Sequence, residues 1–289
     1  MTTTAPPSRR PRRSGVSPSL RRYGAALKSP RGLVGIIVIL VLALLSVSAP
    51  LLFPDGYDVQ SSESLLAPSF THLFGTDELG RDIFVRSLYG LRTDFSIIVV
   101  AVPVSMILGT ILGLIGALSR VAGTIVQRVL DIILGFPGLV LGICIVLVVG
   151  PGWVSLVIAI TISGLPAFGR LARAALMSQM QREYVTAAET LGVSRLTVLG
   201  RHILPNAIDP ILVQGAVFVV QAIFIEAALS IVGLGIQPPQ PSLGALLNVG
   251  TRFINQAPTY ILGPTVLLLL LALAFSLLAD ALNETVNRK

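Results

Sequence analysis

Residues 183–205 read EYVTAAETLGVSRLTVLGRHILP. The stretch is polar for its surroundings: Glu183, Glu189, Arg195, Arg201 and His202 fall within it, while the runs on either side are almost free of charge. Gly192 divides it. Tyr184 to Leu191 favours helix and Gly192 is a helix stop. Ser194 then caps a second short helix running to Leu204, where Pro205 closes it. A helix pair that exposes Ala187 and Ala188 offers close packing to a groove on another protein, although alanine is also an ordinary helix former. A polar island between apolar runs implies that something soluble reads it and that the remainder holds it in place.

The remainder is membrane-like. Of 289 residues, 53% are hydrophobic and 12% charged, with mean hydropathy +0.84, against about 25% charged in soluble domains. A helix needs about 20 apolar residues to cross a hydrocarbon core about 30 Å thick. Six stretches meet that length or approach it: 33–53, 95–118, 129–149, 153–169, 210–236 and 259–279. The first could be a signal peptide, with Val47-Ser48-Ala49 as its cleavage site. It is long for that role and five spans follow, so a retained helix is expected. Pairs of glycines four apart, Gly109/Gly113 and Gly138/Gly142, allow close helix approach. The expected fold is an all-α membrane protein of six packed transmembrane helices.

Charge placement sets the expected orientation. The net charge of +7 comes from 21 basic and 14 acidic residues. Residues 1–32 form a basic tail, expected to be disordered, with Arg9, Arg10, Arg12, Arg13, Arg21, Arg22, Lys28 and Arg31. With this tail inside, 17 basic residues fall on the inner side and 4 on the outer, as the positive-inside rule requires. Both termini and the 183–205 loop are then cytoplasmic in a prokaryotic plasma membrane, and the tail is positioned to touch anionic lipid. Topology explains the basic excess, so nucleic-acid binding loses its support. Cys144 is alone in an apolar run, and His72 and His202 are far apart, so neither a disulfide nor a His/Cys metal site is expected. The outer segment, 54–94, is acidic on balance. Thr76-Asp77-Glu78 reads as a helix start there, either of an amphipathic helix on the membrane surface or of a gate or docking surface for a delivery protein. Pro238, Pro239 and Pro241 break the chain after the fifth span. Glu226 is the one acid placed deep in a span, at a cost of about 2–3 kcal/mol. It is either a pore or gate residue or a hydrogen-bond partner for a neighbouring helix.

Three motifs resemble one family. Thr186-Ala187-Ala188, Gly192 and His202-Ile203-Leu204-Pro205 are similar to the EAA loop of permease subunits in bacterial ABC importers, with Thr186 where Glu is frequent and His202 where Ile is. HLFGTDELGRDIFVRSLYG (72–90) and EAALSIVGLGIQPPQPSLG (226–244, with Leu243 in place of Trp) resemble segments of the oligopeptide/dipeptide/nickel branch. The resemblance runs from about Gly32 to the C-terminus. It implies the type I ABC importer permease fold, and a subunit that forms half of a path for peptides or related solutes. It also implies a second homologous permease, two cytoplasmic ATPase subunits and an extracytoplasmic substrate-binding protein. Thr186, Ala187, Ala188, Glu189, Gly192, Leu204 and Pro205 would then form the ATPase-coupling contact, and Glu226 a translocation-path or gate residue. The chain itself is expected to bind no cofactor, with ATP and Mg held by partner subunits. A phosphate-binding GxxxxGK[ST] loop needs a Gly-Lys pair, and neither lysine follows glycine. A secondary transporter or channel subunit is the alternative; it calls for more intramembrane titratable groups or two matching halves with broken helices.

Overall fold

The computed structural model describes residues 18–287 and is helical almost throughout. The described elements are α1 (Pro18–Lys28), α2 (Pro30–Leu52), α3 (Ile83–Leu118), α4 (Arg120–Gly135), α5 (Gly138–Val149), α6 (Trp153–Met180), α7 (Glu183–Thr190), α8 (Arg195–Val198), a π-helical turn (Leu199–Ile203), α9 (Leu204–Ile231), α10 (Leu243–Gly250) and α11 (Thr259–Asn287). Among the described residues, five helices are long and apolar enough to cross a membrane: α2, α3, α6, α9 and α11.

A sixth crossing follows from chain direction. α3 and α6 lie side by side and parallel. Trp153 Nε1 donates to Ser96 Oγ at 2.9 Å, and Ser105 Oγ donates to the Thr161 carbonyl at 2.9 Å. Further along, a Cβ on Gly109 would sit 2.6 Å from Phe168 Cβ, and one on Gly113 2.7 Å from Ala172 Cβ. Two parallel neighbours require the chain to return between them, and α4 with α5 makes that return. The run 129–149, expected as one helix, is thus two helices bent by 96° at Phe136-Pro137. Proline has no N–H for the helical ladder and disfavours helix in the residue before it. Phe136 is extended accordingly (φ −89°, ψ 134°).

The glycine pairs divide in the same way. Gly109 and Gly113 form the α3–α6 seam. Of the other pair, Gly142 faces Leu229 of α9, whereas Gly138 has open space. The core joins α3, α6, α9, α10 and α11 through Leu91, Ile97, Leu156, Ile160, Ile211, Leu243 and Leu271. Phe168 meets Phe218 edge-on at 5.4 Å. Much of the apolar surface faces outward, as on α5 (Leu147 71%, Val148 87% exposed), which is what lipid or a second membrane subunit covers and water does not.

The ends of the helices sort onto two faces. Both ends of the described chain, the start of α9 and the 183–205 segment share one face. There Tyr23 of α1 donates to Asp209 Oδ1 of α9 at 2.6 Å. The segment expected as a disordered tail therefore contains a helix, α1, packed against α2 and α11, with Ser29 capping α2 through the Gly32 amide. Residues 1–17, the rest of that expectation, lie outside the described residues.

On the opposite face, residues 54–82 fold over the bundle. No helix starts at Thr76. Its hydroxyl donates to the Glu63 carbonyl at 2.6 Å and accepts from the Leu66 amide. Asp77, fully buried, receives the Leu79 and Arg81 amides and the Arg81 guanidinium at 2.6 Å. Gly75 and Gly80 adopt positive φ (81° and 69°), and a side chain on either would strike the backbone of Leu66 or Ser61. The helix begins at Asp82, which caps the Phe84 and Val85 amides, and runs unbroken into the span. The amphipathic segment of 83–91 is thus the first quarter of α3 and not a separate surface helix. Arg81 also reaches Asp58 at 2.9 Å and Glu78 at 3.3 Å. Burial alone would lower its pKa, but the hydrogen bonds to Asp58 and Asp77 outweigh that and raise it. Tyr260 of α11 donates to Glu78 at 2.9 Å, fastening the segment to the last span.

Candidate functional site

Two places combine unusual chemistry with a defined position: the 183–205 segment and a buried acid cluster around Glu226.

In the 183–205 segment, α7 ends at Thr190 and Gly192 follows with φ +77°. The Val193 amide reaches back to the Ala188 carbonyl at 3.1 Å, the six-to-one closure of a glycine-terminated helix. Ser194 then accepts the Thr197 amide at 3.3 Å and starts α8. The second helix does not stop at Pro205. A π-helical turn carries it into α9, with the Leu204 amide bonded to the Leu199 carbonyl. Pro205 sits in the first turn of α9, where a missing N–H costs little.

One side of this helix pair grips the bundle. Val185, Val198, Leu199 and Ile203 are buried against Leu176 and Ala207, with Ala188 and Leu204 partly buried beside them. Beneath lies a cavity of about 260 Å³ lined by Ala117, Leu118, Met180, Val185, Val198, Leu199 and Ile203. The other side is bare: Thr186, Ala187, Gly192 and Pro205 are exposed, and Leu191 is 83% exposed. The predicted coupling residues therefore split, with Ala188 and Leu204 facing partly inward. The side chains of Glu189 and His202 lie outside the described ones. An apolar tip at Leu191 next to an open glycine, on a short helix anchored through its back, is a knob shaped for another protein's groove.

The buried cluster joins α3, α9 and α10. Glu226 is 2% exposed and receives the Ser230 hydroxyl at 2.7 Å. Ser242 caps α10 through the Ala245 amide and reaches Ser230 at 3.5 Å. Asp94 of α3 accepts the Leu243 amide at 3.2 Å, while its other oxygen, also buried, has no partner among the described residues. Glycines permit the convergence: a Cβ on Gly90 would sit 3.0 Å from Ser242 C, and one on Gly244 2.6 Å from Ser230 Cβ. By its charge pattern Asp94 belongs to the outer segment, which leaves Glu226 as a single deep acid in the sequence. Among the described residues there are two, because α3 starts twelve residues earlier than the uncharged run. The signal was available in Ile83, Leu88 and Leu91, whose helical spacing continues through Asp94. Asp131, by contrast, pairs with Arg170 at an exposed position.

Residues 109–289 match the family model described as the binding-protein-dependent transport system inner membrane component. The chain belongs to that family. It is 37% identical over 96% of its length, and 91% of the relative's, to a dipeptide transport system permease protein of Alkalihalophilus pseudofirmus. A di/tripeptide transport system permease protein of Pseudomonas aeruginosa is 36% identical over 95% of this chain and 94% of its own. A glutathione transport system permease protein of Pectobacterium atrosepticum is 38% identical over 77% and 74%. Among solved structures, an inward-facing form of the MetNI methionine ABC transporter superposes with TM-score 0.56 at 18% identity, covering 69% of this chain and 95% of its own. An amino acid ABC transporter gives TM-score 0.54 at 18% identity, with 68% and 91% covered. The fold is that of a type I ABC importer permease, and the chain is a multi-pass membrane protein. Family membership sets the second deep acid in context: the chain is a transport permease, and two carboxyls packed among serines do not make it a self-sufficient ion-coupled carrier.

Proposed function

We propose that the chain is the permease subunit of an ATP-driven importer of di- or oligopeptides, forming half of the path with a second, homologous permease. The observation that carries this reading is the 183–205 knob: a helix pair anchored by an apolar back and exposing Ala187, Leu191 and Gly192 on the face that holds both chain ends. That face is cytoplasmic by the excess of arginine, and the 54–82 segment is extracytoplasmic. Two ATPase subunits holding ATP and Mg receive the knob, and a substrate-binding protein delivers cargo to the opposite face. Closure of the ATPase dimer displaces the knob. Because α7 and α8 are fastened to α6 and α9, the displacement is passed to two spans at once. Glu226 and Asp94 lie where α3 and α9 converge, so a change in the angle between these spans alters their surroundings. The chain performs no bond-breaking step.

The test is reconstitution. Proteoliposomes containing the chain, its partner permease, the two ATPases and a loaded binding protein should import a dipeptide only with ATP. The chain alone should hydrolyse none. Dipeptide uptake by the chain alone, driven by an ion gradient, would establish the secondary-transporter reading instead.

A further inference from the structure

Where α3, α6 and the loop before α10 meet, on the face opposite the chain ends, a pocket of about 320 Å³ is lined by Tyr57, Tyr89, Arg92, Thr93, Ser96, Trp153, Gln240 and Pro241. Its walls are fixed from behind. Tyr89 donates to the Phe53 carbonyl at 3.1 Å, Trp153 donates to Ser96 at 2.9 Å, and the Tyr57 and Tyr89 rings meet edge-on at 5.1 Å. Its donors are unspent. Arg92 is exposed, and among the described residues it makes no ion pair or hydrogen bond and neither the Tyr57 hydroxyl nor the Gln240 amide is engaged. The nearest acid along the helix, Asp94, is buried and bonded to the Leu243 amide, so it does not neutralise Arg92.

An unpaired guanidinium offers a planar fork that matches a carboxylate. Tyrosine and tryptophan walls supply apolar contact with polar tips, and the volume lies within the range of small-ligand sites, about 300–1,000 Å³. We propose that this pocket is a capture site for the terminal carboxylate of a peptide released by the binding protein, with Arg92 as the anion partner, Tyr57 and Gln240 as further donors, and Trp153 and Tyr89 beside the peptide side chain. The proposal rests on the peptide-import reading above. The same guanidinium could receive a surface carboxylate of the binding protein, and the experiment separates the two.

The assembled complex in proteoliposomes is supplied with binding protein loaded with alanyl-phenylalanine, and peptide imported and ATP hydrolysed are measured together. Arg92→Gln should lower the peptide imported per ATP by about tenfold, the order of one lost charge-assisted hydrogen bond. Stimulation of ATP hydrolysis by the loaded binding protein should keep its half-saturating concentration within twofold. Arg92→Lys should recover part of the loss, and Gln240→Ala should lower the ratio a few-fold. Co-purification with the partner permease checks that each variant assembles. An unchanged peptide-to-ATP ratio in both Arg92→Gln and Gln240→Ala overturns the proposal. So does a raised half-saturating concentration at unchanged ratio, which assigns Arg92 to binding-protein docking. If wild type imports no dipeptide, the peptide-import reading falls and this proposal with it; a failure confined to the variants removes the pocket alone.

Discussion

Replacing Gly192 by valine separates the knob from the bundle that carries it. The φ of Gly192 is +77°, a conformation that costs an L-residue roughly 1–2 kcal/mol, with β-branched side chains worst. A side chain there meets nothing within 4 Å, so the penalty is conformational and not steric. The core of the spans does not involve Gly192, and insertion and folding of the bundle should be unaffected. What the penalty removes is the glycine-terminated closure between α7 and α8. A cost of 1–2 kcal/mol reduces the ordered knob, relative to its open alternatives, by about 5–30-fold, and the apparent affinity for the ATPase falls by up to that factor. Gly192→Asn is the matched control, because asparagine tolerates positive φ. Co-purification of tagged ATPase with each variant, alongside dipeptide uptake, gives the readout. The expected order is wild type, then Asn close behind, then Val with ATPase association and uptake reduced by up to about 30-fold and membrane level unchanged. Normal association by Gly192→Val, or equal losses for Val and Asn, would show that the positive φ of Gly192 does not hold the knob in its ATPase-binding form.

Other positions give sharper structural outcomes. Gly113→Leu drives a side chain into the Gly169 carbonyl and Ala172 on α6 and should destabilise the detergent-solubilised chain by more than the 1–3 kcal/mol of ordinary overpacking, whereas Gly138→Leu, in open space, should leave the thermal midpoint within a degree or two. Asp77→Asn leaves Arg81 and Arg86 short of their buried counter-charge and should cost about 3–5 kcal/mol, seen as faster proteolysis of 54–82. Glu226→Ala strips Ser230 of its acceptor and opens a cavity, costing about 2–4 kcal/mol. Glu226→Gln keeps the acceptor and should assemble normally, so lost uptake in that variant marks a path or gate role and retained uptake a packing role.

The apolar runs located five crossings because lipid demands long uncharged helices, and that demand is visible residue by residue. The helix starts were less legible. α3 begins at Ile83 and not near 95 because Arg86 pairs with Asp77 and Asp94 accepts the Leu243 amide, and no local rule shows a partner 149 residues away, as Leu243 is from Asp94. The break at Phe136-Pro137 was hidden by the reverse condition. Pro50, Pro103, Pro166, Pro210 and Pro264 all lie inside helices, so proline alone does not announce a bend where neighbouring helices can satisfy the freed carbonyl. Pro205 misled in a third way. It reads as a stop, yet the π-helical turn before it reroutes the hydrogen bonds and leaves it in the first turn of α9. At the knob, Gly192 and Ser194 declared their roles through local geometry, while the burial of Val185 and Val198 depended on α6.

In the proposed function Ala187, Leu191 and Gly192 meet a nucleotide-hydrolysing partner. A photo-crosslinking residue placed at Ala187 in the assembled transporter tests it most directly. A single major adduct with the ATPase subunit is expected, its yield changing between nucleotide-free and ATP-bound states. Adducts with lipid or the binding protein alone, and none with the ATPase, would contradict it.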